Sequence, residues 1–345
     1  MPDPLVALIV AGVLAGITAL LFWPERGLVI RWRRSRRMNE RVLAEDALKQ
    51  IHKSEMRGQV ATLDGVAGAL QISRDHTAEL LARAEENGLV SNEAGVLHLT
   101  PEGRNAALHI IRAHRLWERY LADQTGFGEA QWHGQAEILE HSLQPAEADA
   151  LAARLGYPTH DPHGDPIPDA SGQYVAHGGQ PLTATALDQP AQIVHIEDEP
   201  ETIYAQLVAL GLYPGMTVRL VEANAKRVRF WANGDEHVLA PILATNISVV
   251  PLPQTAAVAV ERDSETLADL KLGESGKVSA ISPRCRGAER RRFMDLGILP
   301  GTVISAEMVS AGGDPTAYRI REALIALRSE QAGMIQITRG LEAAA

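Results

Sequence analysis

The sequence predicts an α+β multidomain chain: an N-terminal transmembrane helix, a winged helix-turn-helix, a helical metal-binding domain and two small SH3-like β-barrels. Three observations carry that expectation. A charge-free apolar run is followed at once by arginines, histidines and carboxylates recur together at helical spacing, and one Pro-Gly motif appears twice in the C-terminal half. The length of 345 residues suggests two to three domains, and 46% apolar residues suffice for several cores. A net charge of −10 argues against a chain built wholly to bind polyanions. The single Cys285 excludes an intrachain disulfide and a Cys-rich zinc site, and fits a reducing, cytoplasmic setting for the bulk of the chain.

Residues 5–23 carry no charge and have the length of a short membrane span. Arg26, Arg31, Arg33, Arg34, Arg36, Arg37 and Arg41 follow, which by the positive-inside rule places the rest in the cytoplasm. A signal peptide would carry its positive charge first, and no small-residue cleavage site is evident. Residues 1–38 are therefore expected to be an anchor with a basic juxtamembrane segment, single-pass in the inner (cytoplasmic) membrane.

Residues 39–104 read as a winged helix-turn-helix. Val42, Leu43, Ala47, Leu48 and Ile51 form an apolar helical stripe, and 62–72 make a second helix. Ser73 caps a third over 74–87, with Gly88 behind it. Two short strands follow, and Thr100-Pro101 opens the next helix. Helix, turn, helix and hairpin make a DNA-reading module. Ser73, Arg74, His76, Thr77 and Arg83 are its candidate DNA contacts. They are interleaved with Asp75 and Glu79, and residues 42–104 hold ten acids against six bases, a balance that opposes phosphate binding.

Residues 105–170 are helical and carry the chemistry. His114 and Glu118 lie at i, i+4; Glu137, Glu140 and His141 lie at i, i+3 and i+4, with His133 just upstream. Each set shares one helix face. Mixed imidazole and carboxylate donors suit Mn, Fe, Zn or Ni better than Mg or Ca. Residues 171–185 read as a linker. The β-rich segments 186–253 and 262–340 share Leu-Gly-(Leu/Ile)-x-Pro-Gly-x-x-Val: a short helix, a Pro-Gly turn and a strand. A motif repeated in register signals duplication, and strand-dense units of this size suggest SH3-like barrels.

These motifs, with Leu99-Thr-Pro-Glu-Gly103 and Pro162-His-Gly-Asp-Pro-Ile-Pro168, resemble the diphtheria-toxin-repressor family of metal-dependent regulators. Both β-rich copies resemble the FeoA-type SH3-like domain. The resemblance implies a homodimer with Fe²⁺ or Mn²⁺ as cofactor. It implies a primary site of Asp46, Glu137, Glu140 and His141, and an ancillary site of His114, Glu118 and His133, helped by Glu199 or Glu201 from the first SH3-like copy. Lys49 stands where manganese sensors place a second carboxylate, which brings the ancillary arrangement closer to the iron sensors.

Two functions are consistent with this pattern. One is a membrane-anchored, Fe²⁺- or Mn²⁺-dependent transcriptional regulator binding double-stranded DNA. The other is a non-DNA-binding iron-sensing adaptor that contacts a ferrous iron transporter through its FeoA-like domains. An enzyme is not expected: the chain has no phosphate loop or nucleophile elbow. His52, His98 and His109 read as packing or surface residues; His160, Asp161 and His163 could bind metal, but in a Pro-rich segment they read first as polar turn residues. Cys285 sits between Arg284 and Arg286, a setting that lowers a thiol pKa, although a lone loop cysteine is usually incidental.

Overall fold

The structure, a computed structural model, describes residues 28–232, 235–253 and 265–339, with side chains from residue 39 onward. It divides into two compact units between Ile111 and Arg112.

In the first unit, α1 (Leu28–Met56), α2 (Leu63–Leu70) and α3 (Arg74–Glu86) precede the antiparallel hairpin β1 (Val90–Glu93) and β2 (Val96–Leu99). Thr62 and Ser73 cap α2 and α3, their hydroxyls accepting from the backbone N–H of Gly65 and His76. These caps satisfy donors that a helix start leaves open. Ala47, Leu48 and Ile51 of α1 meet Val66, Leu80, Leu81, Leu97 and Leu99 in one core. This is the expected helix-turn-helix with a wing. The Leu97 N–H donates to the Ala61 carbonyl at 2.9 Å, tying wing to helices.

The proposed membrane span, residues 5–23, lies outside the described residues. The placement built on it, single-pass in the inner membrane, is corrected. Among the described residues no helix is long and apolar enough to cross a membrane. The helix that follows the apolar run, α1, contains Arg31, Arg33, Arg34, Arg36, Arg37 and Arg41, and charge at that density opposes burial in hydrocarbon.

Helix α4 (Pro101–Gln124) begins with Pro101 at its first position and Thr100 accepting from the Gly103 N–H. In the second unit its C-terminal part packs with α5 (Trp132–Glu140) and α6 (Pro145–Arg154) around Leu116, Leu121, Trp132, Ala136 and Leu151. The Pro/Gly-rich loop 160–168 then leads to β3 (Gln180–Pro181), which pairs with a strand of the first β domain. Leu182 is fully buried in that domain's core, so the end of the expected linker belongs to the sheet.

The first β domain comprises β4 (Pro190–Ile196), α7 (Glu201–Ala209), β5 (Thr217–Ala223), β6 (Val228–Ala232), β7 (Asp235–Leu239), α8 (Pro241–Ala244) and β8 (Ile247–Pro251). The second comprises β9 (Ser275–Ile281), α9 (Gly287–Asp295), β10 (Val303–Val309), β11 (Thr316–Ile320), β12 (Ala323–Leu327), α10 (Ser329–Ala332) and β13 (Ile335–Thr338). The antiparallel order β8-β4-β5-β6-β7 is matched by β13-β9-β10-β11-β12. The repeated Pro-Gly turn makes the same bond in each: Gly215 N–H donates to the Ile193 carbonyl at 2.7 Å, and Gly301 N–H to that of Val278 at 2.8 Å. Equivalent bulges bend the pairings β5–β6 and β10–β11. The cores centre on Phe230, Leu207 and Ile193, and on Phe293, Tyr318 and Ile304.

Candidate metal centre

The second unit holds a buried cluster built from three parts of the chain. His114 and Glu118 sit one turn apart on α4. Glu118 Oε1 lies 3.0 Å from His114 Nε2 and 3.2 Å from Nδ1 of His133, which opens α5. Asp198, just after β4, brings Oδ2 to 2.8 Å from His133 Nδ1. The ligating atoms of His114, Glu118, His133 and Asp198 all lie within 4.8 Å of one another. Such convergence of two imidazoles and two carboxylates in a largely buried space fits a borderline divalent metal such as Fe²⁺ or Mn²⁺. Glu140 and His141 close α5. Glu140 touches His114 Nδ1 through Oε2 and lies 3.5 Å from His141 Nε2 through Oε1, so the His114 ring stands between two carboxylates.

A second group shares Glu118. Its Oε2 lies 3.5 Å from His163 Nδ1, and the ligating atoms of Glu118, Asp161 and His163 fall within 4.8 Å. The loop carrying His163 is held on both sides. Arg115 of α4 bonds the Pro166 carbonyl and, at 3.1 Å, Asp165. Ile196 N–H donates to the His163 carbonyl at 2.9 Å. Gly164, at φ +96, passes so close to β4 that a Cβ would meet the Val194 carbonyl at 2.0 Å. Only glycine fits there.

The electrostatics follow from burial and crowding. Burial is the largest influence on Glu118 and pushes its pKa up, but the charges of His114 and His163 and hydrogen bonds from His114 and His133 outweigh it and hold the carboxyl well below the usual range. Burial pushes His133 down, but hydrogen bonds to Asp198, Glu118 and Glu137 raise it to about 12. His163, also opposed by burial, is raised to about 10, chiefly by Glu118. Burial, with Asp165 and Glu118 beside it, lifts Asp161 well above its ordinary value. The surplus of buried carboxylates thus favours positive charge here, carried by protons on His133 and His163 or by a bound cation that takes their place.

The structure brings His114, Glu118 and His133 together, and Glu140 with His141. Glu137 is exposed, 3.5 Å from His133 Nε2. Asp46 belongs to the first unit, half-buried on α1. The first β domain lends Asp198, which the sequence reading missed. Of the residues expected in that role, Glu199 stands 3.7 Å from His133 and Glu201 is exposed in the first turn of α7. His163 and Asp161, read as turn residues, are buried in the cluster.

On α3, the Ser73 hydroxyl serves as helix cap, Arg74 pairs with Asp64 at 3.3 Å, and Arg83 pairs with Glu40 at 2.9 Å. His76 is half-buried. Thr77 is fully buried and donates its hydroxyl to the Ser73 carbonyl, so it faces the core and not the groove-facing side. Cys285 is also buried. Burial pushes its pKa to about 11, with Glu289 adding to the rise, and the expected lowering by neighbouring arginines is corrected.

A winged helix-turn-helix, a helical domain with a buried His-carboxylate cluster and a β domain completing that cluster define a metal-responsive regulator. Residues 100–169 match the metal binding and dimerisation domain of iron dependent repressors, and residues 265–339 match the FeoA domain. The iron-dependent repressor IdeR of Mycobacterium bovis is 34% identical over 222 residues, 59% of this chain and 95% of that protein. A solved manganese-dependent transcriptional repressor in complex with manganese is 29% identical with a TM-score of 0.56, covering 61% of this chain and 100% of that one. A probable metal transport system membrane protein of Chlamydia pneumoniae is 33% identical over 175 residues, 49% of this chain but only 39% of that protein. The chain belongs to the diphtheria-toxin-repressor family of metal-dependent transcriptional repressors.

Proposed function

We propose that this chain is a homodimeric, Fe²⁺- or Mn²⁺-dependent regulator of metal homeostasis that binds double-stranded DNA through α3. The observation that carries this reading is the buried convergence of His114, Glu118, His133 and Asp198. These four residues would hold one ion. When bound, the ion supplies positive charge that protons on His133 otherwise supply, and joins α4, α5 and the β4–α7 connection. For a primary ion the proposal keeps the set implied by the resemblance: Asp46, Glu137, Glu140 and His141. Ser73, Arg74, His76 and Arg83 remain the proposed DNA-facing residues. Arg74 and Arg83 would exchange Asp64 and Glu40 for phosphates, a step opposed by the acidic balance of this domain.

Anisotropy of the full chain on DNA from its own promoter tests the reading, with and without Mn²⁺ or Fe²⁺ under anaerobic conditions. Binding is expected only with metal, weakening steeply with salt and disappearing in Glu118→Ala. A second reading rests on the Chlamydia likeness and on the acid-paired arginines of α3: an adaptor of a metal transport system that does not bind DNA. Intact metal affinity with no DNA binding in any metal state would favour it.

A further inference from the structure

We propose that Glu118 bridges two cations, and that His163 and Asp161 supply the second position. This rests on reading His114, Glu118, His133 and Asp198 as one cation site, and adds a neighbour to it.

The two oxygens of Glu118 face different partners. Oε1 is turned to His114 and His133, whereas Oε2 is 3.5 Å from His163 Nδ1. Asp198 Oδ2 also stands between the two groups, 2.8 Å from His133 Nδ1 and 3.6 Å from His163 Nδ1. A carboxylate presented this way is the usual bridge between paired metals, which lie about 3.5–4 Å apart. His163 is 1% exposed, and neither of its ring nitrogens has a hydrogen-bond partner. Burying a polar group without a hydrogen bond is costly, and a cation at Nδ1 removes part of that cost. Asp161 commits Oδ1 to the backbone N–H groups of His163 and Asp165, both at 2.9 Å, which orients Oδ2. Arg115 Nε lies 4.0 Å from that Oδ2 and opposes the second cation, so it binds more weakly than the first. The donors Glu118, Asp161 and His163, completed by water, suit Mn²⁺ or Fe²⁺. The loop needs no rearrangement, since Arg115, Gly164 and β4 already fix it.

The test uses the metal-free full chain and Mn²⁺ alone, with bound ions counted by equilibrium dialysis and followed by EPR. Wild type is expected to bind one more Mn²⁺ per chain than His163→Ala, and to show an exchange-coupled spectrum that His163→Ala turns into that of isolated ions. Asp161→Asn is expected to weaken the same equivalent about tenfold. An isolated-ion spectrum in saturated wild type overturns the proposal, whatever the variants do. So does equal uptake by wild type and both variants. If His163 merely positions Glu118, the variant loses affinity but wild type shows no coupling, which also overturns it. His133→Ala separates the underlying reading: wild-type uptake in that variant would remove the first site, and the second with it.

Discussion

The two β domains share strand order, turn and bulge, yet their equivalent strand-to-helix connections do opposite things. Between β4 and α7 the chain reads Glu197-Asp198-Glu199-Pro200, and Asp198 enters a cluster of histidines. Between β9 and α9 it reads Ser282-Pro283-Arg284-Cys285-Arg286, and Arg286 reaches Asp123 near the end of α4 at 3.3 Å. Arg291, on α9, donates to the Gln124 carbonyl at 3.3 Å, a cation at a helix C-terminus. Both connections address the same helix. The acidic one meets Glu118 and its imidazoles; the basic one meets the carboxylate and carbonyl at the helix end. Shared topology delivers a loop to a place, and the charge on that loop decides whether it recruits a cation or acts as one.

The largest expected effect separates the two loops. Asp198→Ala or His133→Ala is expected to weaken Mn²⁺ binding about 10–100-fold by calorimetric titration, while Arg286→Ala leaves it within about twofold. Equal losses from both loops would break the comparison. The next effect concerns docking. Gly287 sits at φ +54 with a Cβ position 2.3 Å from the Thr125 carbonyl. Gly287→Ala is expected to cost about 2 kcal/mol in urea unfolding; an unchanged midpoint would mean that α9 does not need this close approach.

Cys285 supplies a third test. Its thiol is buried and its pKa is raised to about 11, so alkylation at pH 8 should be at least about tenfold slower in the native protein than in urea. The sign for stability follows. Above the thiol's ordinary value the unfolded chain ionises first, so stability is lost as pH rises toward about 11, and Cys285→Ala removes that loss. Rapid native labelling at pH 8 would show that the basic loop opens. The smallest effect is Arg291→Ala, expected to cost about 0.3–1 kcal/mol, with high salt reducing the difference.

Much of this was legible in the sequence because helices and turns obey local rules. The i, i+4 placement of His114 and Glu118 on one helix, the caps Ser73 and Thr100, and the doubled Pro-Gly turn all followed from local sequence without tertiary information. Asp198 did not. A bulge between Ile193 and His195 breaks the alternation of β4, so parity no longer says which of Glu197, Asp198 and Glu199 points inward. His163 was misjudged for a different reason. A Pro/Gly-rich stretch looks like a solvated turn, and only the clamp of Arg115 and β4 makes it interior. Thr77 shares one helix face with Leu80, Leu81 and Ala84 at i, i+3, i+4 and i+7, and its hydroxyl finds a backbone partner in the core.

The donors of this centre also arrive in a fixed order during synthesis. His114, Glu118 and His133 leave the ribosome well before Asp198, and at about 5–20 residues per second the interval is on the order of ten seconds. Through that interval the helices carry imidazoles and a carboxylate without the partner that closes the cluster. A nascent chain therefore acquires its full set of donors only once the β4–α7 connection has been made and folded. A cluster with all four donors thus reports that the first β domain is in place.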